Sequence, residues 1–123
     1  MLKESQNKKL AQAAANIALE AGACVQIIHL EDYDLPLFSE DIEGQLSAEY
    51  HDNLQQLRKI LDNADGFIMA SPEYNGMVPG VFKNTLDWIS RSFDDGFGNV
   101  FADKPLALMS ASPGANAGMR GLF

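Results

Sequence analysis

A short apolar run that breaks abruptly into turn-forming residues constrains this chain more than any other feature. Gly66-Phe67-Ile68-Met69-Ala70 has no polar alternation, the pattern of a strand covered on both faces in a parallel sheet. Pro72, Asn75, Gly76 and Pro79-Gly80 follow at once, and they end regular structure. Helical spacing resumes from Val81 to Phe93. A strand that runs through a rigid loop into a helix is how open α/β sheets build ligand sites, beyond the carboxyl ends of their strands.

The flanking segments fit the same architecture. Ser5 is placed to cap a first helix, with Leu10, Ala13, Ala14, Ile17, Ala18 and Ala21 as its apolar stripe and Gly22 as its stop. Cys24 to Leu30 is rich in β-branched residues and reads as a strand. Glu31 to Gly44 is an acidic surface excursion whose Leu35-Pro36-Leu37-Phe38 segment is expected to tuck inward. Ser47 caps a second helix, with Tyr50, Leu54, Leu57, Leu61 and Ala64 facing the core. After a turn-rich link from Asp94 to Asn99, Pro105 to Ala111 is another apolar strand. It opens into a small-residue loop, Ser112 to Gly118. Alternating helices and strands of this kind predict a doubly wound α/β domain.

Composition narrows the function. At 123 residues, 46% hydrophobic and 21% charged, the chain has the balance of one modest globular domain. A net charge of −8 with no basic stripe argues against nucleic acid. No apolar run is long enough to span a bilayer, so no membrane partner is expected. The lone cysteine, Cys24, cannot form an intrachain disulfide, and the cytoplasm is the expected compartment. Cys24 itself reads as buried packing. His29 and His51 stand alone, and the acidic run Glu31, Asp32, Asp34 lacks the glycine and terminal glutamate of a calcium loop. No metal site is expected.

The segment from Ser71 to Arg91, beginning Ser71-Pro72-Glu73-Tyr74-Asn75-Gly76 and continuing through Pro79-Gly80 and Lys83-Asn84 to Asp87-Trp88, resembles the signature of the NADPH-dependent FMN reductases. This family comprises flavodoxin-like quinone, chromate and azo-dye reductases. The resemblance implies a flavodoxin-like, three-layer, doubly wound parallel sheet. It also implies an incomplete one: Ser5 and Asn7 match the back half of the family's phosphate loop, Leu2 stands where arginine is common, and the loop's preceding strand and a closing helix and strand are absent. The expectation is therefore one partial FMN reductase domain over residues 1–123.

The resemblance further implies FMN as cofactor, with NADPH or NADH as co-substrate. The acceptor would be a small molecule: a quinone, azo compound, free flavin or metal oxyanion. Ser5 and Asn7, with helix N-terminal amides, would meet the FMN phosphate. Pro72, Glu73, Tyr74, Asn75 and Gly76 would line the isoalloxazine, Tyr74 beside the ring and the backbone amides of residues 73–76 at its polar edge. Ser112 and Gly114 complete the set, and Gly114 and Gly118 permit close backbone approach. No side-chain acid or base is expected, because the cofactor carries the redox chemistry.

In the third helix, Phe82, Leu86, Ile89 and Phe93 form one apolar stripe, and Val81, Thr85 and Trp88 form a second. The two stripes read either as one broad core face or as a core stripe beside Trp88 and Val81 at a homodimer or homotetramer contact; the second is the expectation, since members of the family are commonly dimers. Lys83, Asp87 and Arg91 are spaced for an ion-pair ladder. The alternative function is a flavin-free remnant that serves as a binding or oligomerisation module.

Overall fold

The computed structural model describes residues 5–91, 93 and 95–122. Its principal elements are helix α1 (Gln6–Glu20), helix α2 (Ala48–Asn63), strand β1 (Phe67–Ala70), helix α3 (Gly80–Ile89) and strand β2 (Leu106–Met109). Short 3₁₀ turns occupy Leu30–Asp32, Glu40–Ile42 and Met119–Leu122. By packing, the chain divides into two compact units. One comprises Met1–Ile28, Phe67–Pro79 and Leu106–Phe123, and the other His29–Gly66 and Gly80–Pro105.

The first unit is built on a parallel pair. β1 and β2 run in register, Phe67 opposite Leu106 through Ala70 opposite Met109, and α1 packs on β1. The inward face of α1 keeps Leu10, Ala14 and Ala18 of the predicted stripe but not Ala13, Ile17 or Ala21. Asn7 and Ala15 are buried while Ile17 is 68% exposed, so the packed stripe runs through Asn7, Leu10, Ala11, Ala14, Ala15 and Ala18. Small side chains let the helix backbone approach the strand closely.

The predicted strand over Cys24–Leu30 does not form: Cys24 to His29 joins no strand ladder among the described residues, and Leu30 opens a 3₁₀ turn. β-branched composition gives a preference, but a strand exists only as a ladder of shared hydrogen bonds. Cys24 is accordingly exposed, not buried. The described sheet thus has two strands, and Ile68, Leu106 and Leu108 stay about half exposed on it, so β1 forms as expected but is not covered on both faces.

The second unit centres on α2 and α3. Ser47 Oγ accepts from the Tyr50 amide at 3.3 Å, capping α2 as expected. Leu54, Leu57 and Leu61 are buried, and Lys104 Nζ donates to the Leu61 and Asp62 carbonyls at 2.9 and 2.8 Å, closing the helix end. Trp88 corrects the interface reading: it is fully buried, with Nε1 donating to Pro36 O at 2.8 Å and Phe38 edge-on to its ring at 5.0 Å. Asn84 holds the same segment, donating to Pro36 O at 3.0 Å and accepting from the Phe38 amide at 2.8 Å. The excursion tucks inward through Pro36 and Phe38, whereas Leu37 is 83% exposed.

α3 ends at Ile89, earlier than predicted. Arg58, fully buried, donates to the carbonyls of Ile89 and Arg91 at 2.6 and 3.0 Å and satisfies groups that another helical turn would have used. The ladder is also shorter than expected: Lys83 pairs with Asp87, but Arg91 turns to Glu43. No described helix is long and apolar enough to cross a membrane.

Candidate functional site

The in-register ladder decides where the loops emerge. Because Ala70 pairs with Met109, the chain leaves the carboxyl edge of the sheet at two adjacent points. The Ser71 amide donates to Met109 O at 3.0 Å and carries the pairing one step further. The loops of Ser71–Gly76 and Ser112–Gly118 therefore begin side by side.

Asn7 adds the third segment. Its Nδ2 donates to Ala111 O at 3.0 Å, and its Oδ1 accepts from the Ala111 amide at 2.9 Å. A side-chain amide thereby imitates a backbone rung, and it fixes the start of α1 against the residue before Ser112. Sequence reading gave Asn7 to a phosphate; its amide is largely committed to this tie. Ser5 occupies the N-cap position, yet its hydroxyl makes no capping hydrogen bond. That oxygen and the amides of Gln6 and Asn7, the first two of a 15-residue helix, have no partner among the described residues, whereas the Lys8 amide donates to Ser5 O at 3.0 Å.

The loop after β1 closes on itself. Tyr74 N donates to Met77 O at 2.8 Å and Met77 N to Tyr74 O at 3.0 Å. Asn75 (φ 53°) and Gly76 (φ 75°) both adopt the left-handed region. This is a two-residue hairpin turn of the mirror-image type that Asn-Gly favours. The Tyr74 amide is thus spent inside the turn, not offered outward as expected, whereas those of Asn75 and Gly76 have no acceptor among the described residues. The Tyr74 side chain is 52% exposed. Ser71 Oγ donates to Pro72 O at 3.1 Å, and Glu73 Oε2 accepts from the Arg120 amide at 3.1 Å. Pro72 and Glu73 are half-buried.

In the loop after β2, Ser112 Oγ accepts from the Gly114 amide at 3.2 Å, a local turn that shapes the backbone. Two residues matter here beyond the predicted set. Ser110 Oγ is buried with no hydrogen-bond partner. Gly118 (φ 80°) is buried against it, and a Cβ at Gly118 would strike Ser110 Oγ and lie 2.7 Å from Ser110 Cβ. Arg120, two residues beyond Gly118, reaches the loop after β1, with its amide on Glu73 and its side chain beside Gly76. Its only sequence signal was its position just past the glycine loop.

Two carboxyls of the other unit have their acidity shifted by arginine partners. The Arg58 guanidinium bonded to Asp95 holds that carboxyl below its usual value, and Arg91 does the same for Glu43. The candidate site itself is a binding arrangement of main-chain donors, hydroxyls and an amide.

The family model of NADPH-dependent FMN reductases matches residues 2–123. The chain belongs to this family. Among similar proteins, the quinone reductase of Pseudomonas putida strain KT2440 is 35% identical over 116 residues, covering 94% of this chain and 58% of that protein. The NAD(P)H:quinone oxidoreductase of Solanum tuberosum is also 35% identical, over 94% of this chain and 56% of its own length. A 2-hydroxy-1,4-benzoquinone reductase from Burkholderia is 33% identical, over 92% and 56%. In structure, the chain resembles FerB, the flavoenzyme NAD(P)H:(acceptor) oxidoreductase of Paracoccus denitrificans, with a TM-score of 0.78 and 27% identity, over 98% of this chain and 61% of FerB. The fold is the flavodoxin-like α/β type of FMN reductases. The chain spans a little over half the length of these curated relatives.

FMN fits the residues present. A phosphoryl group needs hydroxyls and free amides, which Ser5 and the start of α1 offer. A flat polar heterocycle needs main-chain donors and a backbone it can approach, which Asn75 and Gly76 provide. Ser110 Oγ is a buried polar atom still lacking a partner at the same edge.

Proposed function

We propose that this chain binds FMN at the carboxyl edge of its β1–β2 pair and acts as an NAD(P)H oxidoreductase toward a small-molecule acceptor. The observation that carries this reading is the joining of three segments at one edge, through Ser71 to Met109 and Asn7 to Ala111. Family membership supplies the identity of the ligand, and the relatives named for quinone reduction make quinones the first acceptor class to test.

Ser5 and the amides opening α1 would hold the phosphate. The Asn75 and Gly76 amides would meet the polar edge of the ring system, with Tyr74 flanking it. Asn7, Pro72, Glu73, Ser112 and Gly114 would shape the cradle, Asn7 and Glu73 by the hydrogen bonds they make to Ala111 and Arg120. When bound, FMN supplies hydride acceptance from NADPH or NADH and electron delivery to a quinone, azo compound, free flavin or metal oxyanion. The protein's own residues bind and orient, and no side chain is assigned as acid or base. A cytoplasmic location and a homodimer or homotetramer complete the reading. With Trp88 buried inside its own unit, any subunit contact must use other surface.

The test is a visible absorption spectrum of the purified chain with and without added FMN, followed by anaerobic addition of NADPH and then a quinone. Flavin uptake, bleaching by NADPH and recovery on quinone addition are expected. A chain that stays colourless at saturating FMN overturns the reading and leaves a flavin-free binding module.

A further inference from the structure

The chain has three arginines, at positions 58, 91 and 120. Arg58 is paired with Asp95 and Arg91 with Glu43, but the Arg120 guanidinium has no carboxylate partner among the described residues. Its backbone is nonetheless pinned. Its amide donates to Glu73 Oε2 at 3.1 Å, and a Cβ on the next residue, Gly121, would lie 3.6 Å from Glu73 Cβ. The side chain lies along the Asn75-Gly76 turn: a Cβ on Gly76 would be 3.4 Å from Arg120 Cδ and 3.7 Å from Nη1. Large apolar side chains neighbouring these residues in sequence are left open, Tyr74 at 52%, Met77 at 67% and Met119 at 53% exposure.

An uncommitted guanidinium held against a ligand-facing turn is unusual in a chain of net charge −8. Such a chain repels a phosphorylated dinucleotide at long range, and one fixed cation at the point of arrival offsets that repulsion locally. The planar fork of arginine matches two phosphate oxygens at once. The phosphate of FMN has its own place at Ser5 and α1, so the anion met on the ring side of the cradle arrives with the second substrate.

We propose that Arg120 receives a phosphate of the reduced pyridine nucleotide and sets the chain's affinity for that donor. The proposal rests on the oxidoreductase reading above. Glu73 acts through it as a positioning residue, fixing the Arg120 backbone so that the guanidinium stays over the turn.

The test compares wild type, Arg120→Ala and Arg120→Lys as the full chain. NADPH binding is followed by NADPH fluorescence without FMN, where no hydride is passed on, and through the KM for NADPH with FMN, and folding is checked by thermal melting. Tenfold or greater weakening is expected in Arg120→Ala, with partial recovery in Arg120→Lys and a shallower salt dependence than in wild type. In turnover, the loss with NADPH should exceed by about tenfold the loss with 1-benzyl-1,4-dihydronicotinamide, a hydride donor without phosphate, as expected for one charge-assisted contact. Equal losses with both donors, unchanged NADPH binding in Arg120→Ala, or no NADPH binding by wild type in either form would overturn the proposal. Failure of the oxidoreductase reading shows separately, as absence of flavin absorbance.

Discussion

The Arg58 guanidinium grips both carboxylate oxygens of Asp95, with Nε 2.6 Å from Oδ2 and Nη2 3.2 Å from Oδ1. Its remaining N–H groups reach the carbonyls of Ile89, Arg91 and Gly98 at 2.6, 3.0 and 3.0 Å, so all five donors are used. The Phe93 ring lies 5.1 Å from Cζ. The two charged side chains are only 0% and 7% exposed. One side chain from α2 thus organises the end of α3 and the turn that follows.

Removing Arg58 takes the cation from the Asp95 carboxylate, which keeps the Phe97 amide at 3.0 Å, and takes the Arg58 donors from three carbonyls. Arg58→Ala should destabilise the chain by about 3–5 kcal/mol, the usual cost of breaking a buried pair from one side. Urea denaturation measures it. A loss under about 1 kcal/mol, the range of surface pairs, would show that the network contributes little.

The pair also fixes a response to pH. Arg58 lowers the Asp95 pKa in the folded chain, so the stabilisation is complete above the unfolded carboxyl's value, about 4. It is lost as pH falls through the lower folded value. The stability difference between wild type and Asp95→Asn should therefore be constant from neutral pH to about 5 and shrink below about 4. Denaturation curves across that range test the sign.

Asn7→Ala removes both halves of the tie to Ala111. About 1–3 kcal/mol is expected for each main-chain group left buried and unpaired. Where that group is rehydrated the cost falls to the low end. FMN uptake, read by quenching of flavin fluorescence, should weaken in the same variant, because the first and third segments are no longer held together. Unchanged uptake with lowered stability would separate the tie from the site.

Gly118→Ala should cost about 1–3 kcal/mol from crowding against Ser110, with a further 1–2 kcal/mol or so from the left-handed backbone. Adding Ser110→Gly should recover the crowding part alone, and a double-variant cycle in thermal or chemical denaturation measures how much.

Trp88→Phe keeps an aromatic ring but loses the bond from Nε1 to Pro36 O. The Pro36 carbonyl should then be held by Asn84 alone, with Asn53 to Asp34 and Arg91 to Glu43 as the excursion's other ties, and limited proteolysis should cut between residues 31 and 44 several times faster than in wild type. The measurement is the cleavage rate at equal protease.

What could be read from the sequence follows a physical divide. The Asn75-Gly76 turn was legible because its chemistry is local, as was β1, whose unbroken apolar run has few other uses. Cys24 to Leu30 has the composition of a strand but forms none, because pairing depends on a neighbour that composition does not specify. An apolar stripe does not say what covers it, so Trp88 points to an interface or to a core, and its cover is Pro36 and Phe38. Arg58 escaped notice as a charge, although it sits beside Leu54, Leu57 and Leu61 at helical spacing. A cation within an apolar stripe was the available signal. Asn7 was read as a ligand contact, and only the three-dimensional arrangement shows it pairing with residue 111.

The ladder from Phe67–Leu106 to Ala70–Met109 has one more consequence. Neighbouring strands stand about 4.8 Å apart whatever their side chains, so the gauge between the loops beginning at Ser71 and Ser110 is inherited from the peptide backbone. Substitutions in either loop can retune which molecule is accepted while that spacing stays put. Diversity of acceptors in such a scaffold then requires no change to the frame that carries it.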